Sequence, residues 1–472
     1  MKVIHLSAEC FPFAKVGGLA DVVGALPKYQ SALGIEAQVI MPLYDNDFEP
    51  NEKLLTVGSG KVSLGKANYS YQVKTTSHKR HGLEILLIDI PELLFKPFVY
   101  SSDDTERFLA FQIAALDHIS NQDKLPDVIH CHDHHTGLVP FLMSYCPQFA
   151  SLKTTPSILT IHNAQYQGWI SYDHIDLLPS FDRKYIGLLD WNKSINSLAA
   201  AIKCAWHVTT VSMTYLEELK VAANGLELLL KEEHKKCSGI LNGIDTKLWD
   251  PETDMLLTKN FKTSSAQSGK KANKNELCKK YGLNPKLPLI VFIGRLVYEK
   301  GADLFPLAFE KILNKHAVSI LLLGSGNKEV EQELLAVKAG KKSTYHAVIG
   351  YDESLAHMMY AGADFLLMPS RIEPCGLNQM YALRYGTAPI VSKVGGLKDT
   401  VIDVSDKGFG ICMEEVSVDF IAHAVNRALD FYGDQPAYKK SRKKIMELDH
   451  SWDLSADRYI QLYKSIIHHD QR

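Results

Sequence analysis

Residues 370–401 read S-R-I-E-P-C-G-L-N-Q-M-Y-A-L-R-Y-G-T-A-P-I-V-S-K-V-G-G-L-K-D-T-V, and the fold follows from how this stretch is entered and left. The apolar run Phe365–Met368 leads in as a buried strand, and Pro369 ends it, so that 370–375 form a loop at the strand's carboxyl end. Gly376 opens a helix on which Leu377, Met380, Tyr381 and Leu383 recur at near-helical spacing. Gly386 stops that helix, and residues 389–391 make a second short strand emptying into Val394, Gly395 and Gly396. A strand-helix-strand unit of this kind builds an open parallel sheet. In such sheets ligands bind at the carboxyl ends of strands, where unpaired backbone N–H groups carry partial positive charge. The first such loop holds one acid, Glu373, and the second a glycine pair, although an ordinary sheet unit with turn glycines would share these letters.

Totals narrow the class. A chain of 472 residues with 46% hydrophobic residues has room for two or three domains with full cores. Net charge is −2, so no basic field points to nucleic acid or an acidic membrane, and no apolar run reaches membrane-spanning length. The eight cysteines (10, 131, 146, 204, 237, 278, 375 and 412) lack close paired spacing, which predicts free thiols in a reducing compartment. Met1-Lys2 runs straight into a strand at 3–6, leaving no room for a signal peptide, so a cytoplasmic location is expected. Oligomeric state is not set by anything in the sequence.

The alternation seen at 365–401 recurs along the chain. After the strand at 3–6 come a loop at 7–16, Gly17-Gly18 opening a helix at 19–33, Gly34 as its stop, and a strand at 37–41. A helix at 105–120 carries Phe108, Phe111 and Ala115 on one face and lies between strands at 83–90 and 128–130. The run His130-Cys131-His132-Asp133-His134-His135 has the composition of a metal cluster. Packed into one short loop, however, these residues cannot all converge on one ion, and no H-E-x-x-H or C-x-x-C supplies further ligands, so no metal is expected. A strand at 157–161 delivers His162-Asn163, and a histidine at a strand end is more often packed or capped than catalytic. After a strand at 206–211, Asn242-Gly243 fits turn chemistry.

From 251 to 275 the composition shifts to Lys, Thr, Ser and Asn, which predicts an exposed connection and a domain boundary near residue 246. The sheet pattern restarts at 289–293, followed by Gly294-Arg295 and by Glu299-Lys300-Gly301 at the next helix start. Two cations so spaced fit a solvated surface equally well; beside a helix amino terminus they also suit a diphosphate. No G-x-x-x-x-G-K-[ST] occurs there, which excludes an ATPase loop. Strands at 319–323 and 347–350, the latter followed by Tyr351, and helices at 418–431, 438–448 and 454–468 complete the alternation.

Two stretches echo each other: K-V-G-G-L-A-D-V-V at 15–23 and K-V-G-G-L-K-D-T-V at 393–401. The first is not the dinucleotide G-x-G-x-x-G pattern. With E-P-C-G-L at 373–377, T-I-H-N at 160–163 and the loop holding Asp133, these motifs resemble the bacterial glycogen synthase and plant starch synthase family over nearly the whole chain. The resemblance implies an α/β protein of GT-B type, with two doubly wound parallel-sheet (Rossmann-like) domains facing a cleft. The first would span 1–245, with the final helix, about 454–472, packing back on it; the second would span 246–453 and bind the donor.

It also implies an activity, a retaining transfer of glucose from ADP-glucose to the non-reducing end of an α-1,4-glucan, with ADP-glucose as substrate and no cofactor. On that resemblance Arg295 and Lys300 hold the leaving diphosphate, and Glu373 and the backbone carbonyl of His162 steady the glucosyl cation. Lys15, Gly17 and Gly18, with Asp21 in the same motif, approach phosphate and sugar. Asp133, Asn163 and Asn242 lie beside the sugar, and Tyr351 could stack on the base. Cys375, Gly376, Leu377, Gly395 and Gly396 complete the donor-binding segment. The family usually has an aromatic where this chain has His134. Related transferases carry a second Glu eight residues after the first, where this chain, like this family, has Tyr381.

Other classes share the sheets. A UDP-glucose-using synthase differs only in base contacts. A nucleotide-sugar epimerase or dehydrogenase would want G-x-G-x-x-G after the first strand and a Tyr-x-x-x-Lys pair, neither of which is correctly placed. A non-catalytic glucan-binding protein would not need Arg295, Lys300 and Glu373 together.

Overall fold

The computed structural model describes residues 1–45, 53–77, 82–340 and 343–469, and the chain divides into two compact units. One comprises Met1–Leu241 and the segment from Trp452 onward, the other Asn242–Ser451.

In the first unit the strands are β1 (Lys2–Leu6), β2 (Glu36–Pro42), β3 (Leu55–Leu64), β4 (Ala67–Thr75), β5 (Glu84–Asp89), β6 (Val128–His132) and β7 (Ser157–Ile161). A small three-stranded sheet follows, of β8 (Trp169–Ile170), β9 (Asp190–Trp191) and β10 (Ser194–Asn196), and then β11 (His207–Thr210) and β12 (Cys237–Gly239). The large sheet runs β12-β11-β7-β6-β1-β2-β5-β4-β3, parallel from β12 to β5 and antiparallel beyond. Helices cover both faces of the parallel part, which is why β6 and β7 are buried at every residue and read as unbroken apolar or histidine-bearing runs.

β1 lies between β2 and β6, so the chain order reverses there, and the loops after β1 and β6 leave the sheet side by side at a switch point. The helix Trp452–His469 docks Trp452, Ala456, Tyr459, Ile460 and Tyr463 onto Val22, Leu26 and Tyr29 of the helix Gly18–Ala32, within the core that also holds Val3 and Val128.

The second unit is one all-parallel sheet of β13 (Leu289–Ile293), β14 (Ser319–Gly324), β15 (Tyr345–Ile349), β16 (Phe365–Met368), β17 (Ala388–Ser392) and β18 (Ile411–Met413). Its order is β15-β14-β13-β16-β17-β18, with the reversal between β13 and β16. Alternate residues feed two cores, one per face. Leu289, Val291, Leu321 and Leu366 enter one; Ile290, Phe292, Ile320 and Phe365 enter the other.

Three expectations need correction. First, the β3–β4 hairpin was not foreseen. Its inward positions are few (Val62, Leu64, Tyr71 and Val73 are buried), and in β3 the place of a side chain at Gly60 is taken by the Tyr71 ring, 2.6 Å from where a Cβ would stand. A two-residue turn at Gly65-Lys66, with Gly65 at φ 58°, closes it.

Second, the stretch 251–275 is exposed only in part: many of its residues face solvent, but it carries the start of the helix Ala266–Tyr281, and Lys270 and Lys274 on that helix are buried. Lys270 Nζ, fully enclosed, donates to the carbonyls of Tyr360 (3.1 Å), Ala361 (3.1 Å) and Tyr385 (3.0 Å) and to Thr387 Oγ1 (2.7 Å). Lys274 Nζ meets Asp364 Oδ2 at 2.7 Å. Composition reports solvent preference only where polar groups lack internal partners, and here they have them.

Third, residues 242–245, expected in the first domain, belong to the second unit, and the final segment of the first unit begins at Trp452. Ile244 N donates to His450 O at 2.8 Å and Ile244 bridges to Ser451, which ties this turn to the end of the second unit.

Candidate active site

At the first unit's switch point a buried acid not singled out in the sequence organises the loop after β1. Glu9 Oε2 accepts from Val16 N (2.6 Å) and Gly17 N (2.9 Å), and its other oxygen accepts from Tyr100 Oη. Lys15 stays half-exposed, 2.7 Å from Asp21 and over the Phe11 ring. A Cβ added at Gly17 or Gly18 would meet nothing within 4 Å, and Gly17 is in extended backbone. The fold itself therefore does not demand glycine at either place.

The loop after β6 begins later than expected, because the strand continues through His132. Asp133 then adopts φ 58°, an uncommon left-handed angle for a residue with a side chain. Its Oδ1 accepts from His162 N (2.7 Å) and, more weakly, Asn163 N (3.4 Å). Asp133, His162 and Asn163 are thus brought together, with the acid fixing the backbone from which the His162 carbonyl projects. Burial pushes the Asp133 carboxyl up to about 7; the two amides oppose the shift and the Glu9 charge adds to it. The His134 ring lies tilted against that of His135, with the ring centres 3.7 Å apart.

The histidine run was expected to be unable to converge. With β6 extended, His130 and His132 share one face of the strand, and His5 from the neighbouring β1 joins them in register. Ring nitrogens of these three residues lie within 4.8 Å of one another, close enough to hold an ion. Every one of those nitrogens already has a hydrogen-bond partner, so an ion held here would have to displace those bonds. Burial holds His5 down to about 4 and His162 down to about 3, and holds His130 and His132 well below the usual range. All four rings are neutral at ordinary pH.

In the second unit the loops after β13 and β16 diverge at its own switch point. Lys300 sits in a short turn ended by Gly301, whose φ is 71° and whose Cβ would lie 2.5 Å from Pro369 O. Arg371 N and Ile372 N both donate to Glu299 O, which joins the two loops side by side. Glu373, buried, accepts from Lys300 Nζ at 2.5 Å and from Ser370 Oγ at 2.9 Å through one oxygen. Arg371 is bound by Asp303 and covers the Tyr298 ring, so it is occupied. Arg295 is exposed and, among the described residues, its guanidinium makes no hydrogen bond or ion pair. Tyr351 is 85% exposed beyond Gly350.

The loop carrying Glu373 rests on the glycine pair. A Cβ at Gly395 would stand 2.0 Å from Glu373 O, and one at Gly396 2.0 Å from Cys375 O; Gly396 N donates to Glu373 O at 3.1 Å. Gln379 Nε2 holds the carbonyls of Cys375 and Gly376. The helix that follows starts at Asn378, so Gly376 and Leu377 belong to the loop. Cys375 is packed, with burial pushing its thiol up to about 12 and Asn242 N–H beside the sulfur, so it is no nucleophile. The side-chain oxygen of Asn242 is buried without a partner among the described residues.

Lys300 bonded to a shielded carboxylate in one unit and neutral imidazoles in the other, each at the carboxyl ends of a parallel sheet, fit the class that the comparisons show, a glycosyltransferase of GT-B type. Residues 2–232 match the family model described as starch synthase catalytic domain, and 273–445 match that of glycosyl transferases group 1. The chain is 49% identical to a glycogen synthase of Flavobacterium johnsoniae, covering 99% of both chains, and 38% identical to one of Streptococcus pneumoniae, covering 99% of this chain and 100% of that one. Among solved structures it resembles the catalytic domain of starch synthase IV from Arabidopsis thaliana, bound to ADP and acarbose, at TM-score 0.88 and 32% identity over 99% of each chain. The sucrose-phosphate synthase of Thermosynechococcus elongatus, at TM-score 0.64 and 17% identity over 99% of each chain, shares the fold. The chain belongs to the glycogen synthase and starch synthase family.

The glycine contacts give one prediction and the buried Asp133 carboxyl a second. Gly395→Ala and Gly396→Ala should each lower the unfolding free energy by about 3 kcal/mol, because a backbone carbonyl must move, while Gly17→Ala and Gly18→Ala should leave it nearly unchanged. Denaturant melts of the four variants check this, and equal effects at the two pairs would refute the contrast. The second concerns Asp133, whose folded pKa of about 7 lies above the ordinary 3.8. The folded chain then holds the extra proton between these values, and stability falls as pH rises through the window, by at most about 4 kcal/mol. Asp133→Asn keeps an amide oxygen for the two backbone donors and removes the titration. Its melting temperature should gain on the parent from pH 5 to pH 8; parallel profiles would show that another group titrates.

Proposed function

We propose that the chain is a glycogen synthase that transfers glucose from ADP-glucose to the non-reducing end of an α-1,4-glucan, with retention of configuration. The observation that carries this reading is the Lys300–Glu373 pair at 2.5 Å, with Arg295 left unpaired on the loop beside it. In the transfer the anomeric C–O bond breaks, its electron pair leaves on the diphosphate, and positive charge develops on the sugar. The glucan hydroxyl oxygen then forms the new bond and loses its proton. Arg295 and Lys300 answer the first charge, since an ammonium with three donors can keep Glu373 and still reach phosphate oxygens.

Glu373 and the His162 carbonyl answer the second charge. Neutral imidazoles suit that side, because a cation there would oppose the charge building on the sugar. The open space at Gly17 and Gly18, which the fold does not require, supports the approach of a ligand to the loop after β1. The preference for ADP-glucose draws support from the ADP held by the Arabidopsis relative and from Tyr351, whose ring is exposed where it can stack on a purine. With the charge on the leaving diphosphate met by Arg295 and Lys300, the scheme needs neither metal nor cofactor.

Transfer of labelled glucose into glycogen tests the assignment. Arg295→Ala and Lys300→Ala should each lose about 3 kcal/mol of transition-state stabilisation; Arg295→Ala should melt like the parent, whereas Lys300→Ala should fold but melt lower because it leaves the buried Glu373 carboxylate without its partner, and near-normal turnover in either would place the diphosphate elsewhere. Comparing kcat/KM for the two donors with one glycogen acceptor tests the base. The value for ADP-glucose should be several-fold higher, and a higher value for UDP-glucose would reverse the donor assignment.

A further inference from the structure

The histidines beneath the first unit's switch point form one unbroken hydrogen-bond chain, and its direction is readable. His5 Nε2 lies 2.8 Å from Gln30 Oε1, and the Gln30 amide nitrogen donates to Tyr463 Oη at 3.0 Å. An amide oxygen only accepts, so His5 carries its proton on Nε2 and its Nδ1 is bare. His132 Nε2, 3.0 Å away, must then be the donor to His5 Nδ1, which leaves His132 Nδ1 bare. That nitrogen is 3.0 Å from His162 Nε2, so His162 donates in turn.

The other arm agrees. Tyr463 Oη, having accepted from Gln30, donates to His130 Nδ1 at 2.8 Å, and His130 Nε2 donates to Thr160 Oγ1 at 2.6 Å. Thr160 passes its proton toward Thr209 Oγ1 at 2.6 Å, and Thr209 ends the chain on the Leu159 carbonyl, at a longer 3.4 Å. Each link donates once and accepts once, and no carboxylate or ammonium among the described residues bonds to any of the four rings.

We propose that Gln30 and Tyr463 are positioning residues which, acting through His5 and His132, hold the His162 imidazole as the neutral Nε2–H tautomer with Nδ1 bare. The proposal rests on the assignment of His162 to the sugar side of the reaction. Tyr463 belongs to the helix Trp452–His469, so that helix orients a site residue as well as covering a core. A chain of this kind has only two coherent directions. If Tyr463 no longer holds the amide nitrogen, the Gln30 amide can turn over, every proton along the arm shifts to the other ring nitrogen, and His162 becomes the Nδ1–H tautomer. The wrong tautomer of a site imidazole keeps the fold and loses rate.

The test is Tyr463→Phe, which removes one oxygen from a packed ring, with Gln30→Leu breaking the same chain at its neighbour. In the full-length protein labelled with ¹⁵N-histidine, two-bond NMR correlations should show His5, His132 and His162 as pure Nε2–H tautomers in the parent and as mixtures in the variants. kcat for transfer should fall about ten-fold or more in the variants, with the donor KM changed less than about two-fold. Nδ1–H signals for these rings in the parent, or a stoichiometric metal ion bound to them, would overturn the proposal. So would altered tautomers with parental kcat, or unchanged tautomers in both variants. His162→Ala, measured alongside, removes the ring and keeps the backbone carbonyl; it should itself lose turnover, and a parental value would sink the proposal, whatever the tautomers show, while leaving the carbonyl assignment standing.

Discussion

A carbonyl oxygen standing 2.0 Å from the place a Cβ would occupy leaves a protein no choice of residue, and the second unit depends on that constraint twice, at Gly395 and Gly396. The loop 373–375 lies against these glycines and is bonded through Gly396 N to Glu373 O. That contact fixes where the Glu373 side chain leaves the backbone, hence where Lys300 is held, hence which cation remains unpaired. Any bulk under the loop would displace the acid relative to the end of β13, and positioned charge acts only at its position.

The two K-V-G-G-L stretches share letters but not physics. At 395–396 glycine is demanded by the chain's own backbone. At 17–18 nothing among the described residues demands it, and the N–H groups of Val16 and Gly17 are turned inward to Glu9. Reading both pairs as ligand approaches was therefore half an argument: sequence shows that a side chain is missing, and only the surroundings show what the missing side chain makes way for.

What was legible in the sequence was local. Buried parallel strands announce themselves as apolar runs, and glycines and prolines mark their ends, so β1, β7, β13, β14 and β16 and the loops carrying His162, Arg295, Lys300 and Glu373 were found within a residue or two. What was missed depends on partners far along the chain. The polar segment 251–275 looked wholly solvated because its two buried lysines are satisfied some ninety residues or more away, Lys270 by carbonyls and Lys274 by the Asp364 carboxylate. The β3–β4 hairpin has too few inward side chains for a clear two-residue period. The histidine run looked like a loop because His5 and Tyr463, which give its rings their partners, stand at opposite ends of the sequence.

That last separation bears on how the molecule is made. The second unit is a continuous segment, Asn242–Ser451, whereas the first draws its final helix from residues beyond 451. During synthesis the inserted unit has all its strands before the enclosing one has its last helix. Until the ribosome releases that helix, Val22, Leu26 and Tyr29 lack their cover and the Gln30 amide its phenol. The apolar face formed by Val22, Leu26 and Tyr29 thus goes without this cover for the whole time the second unit is being translated.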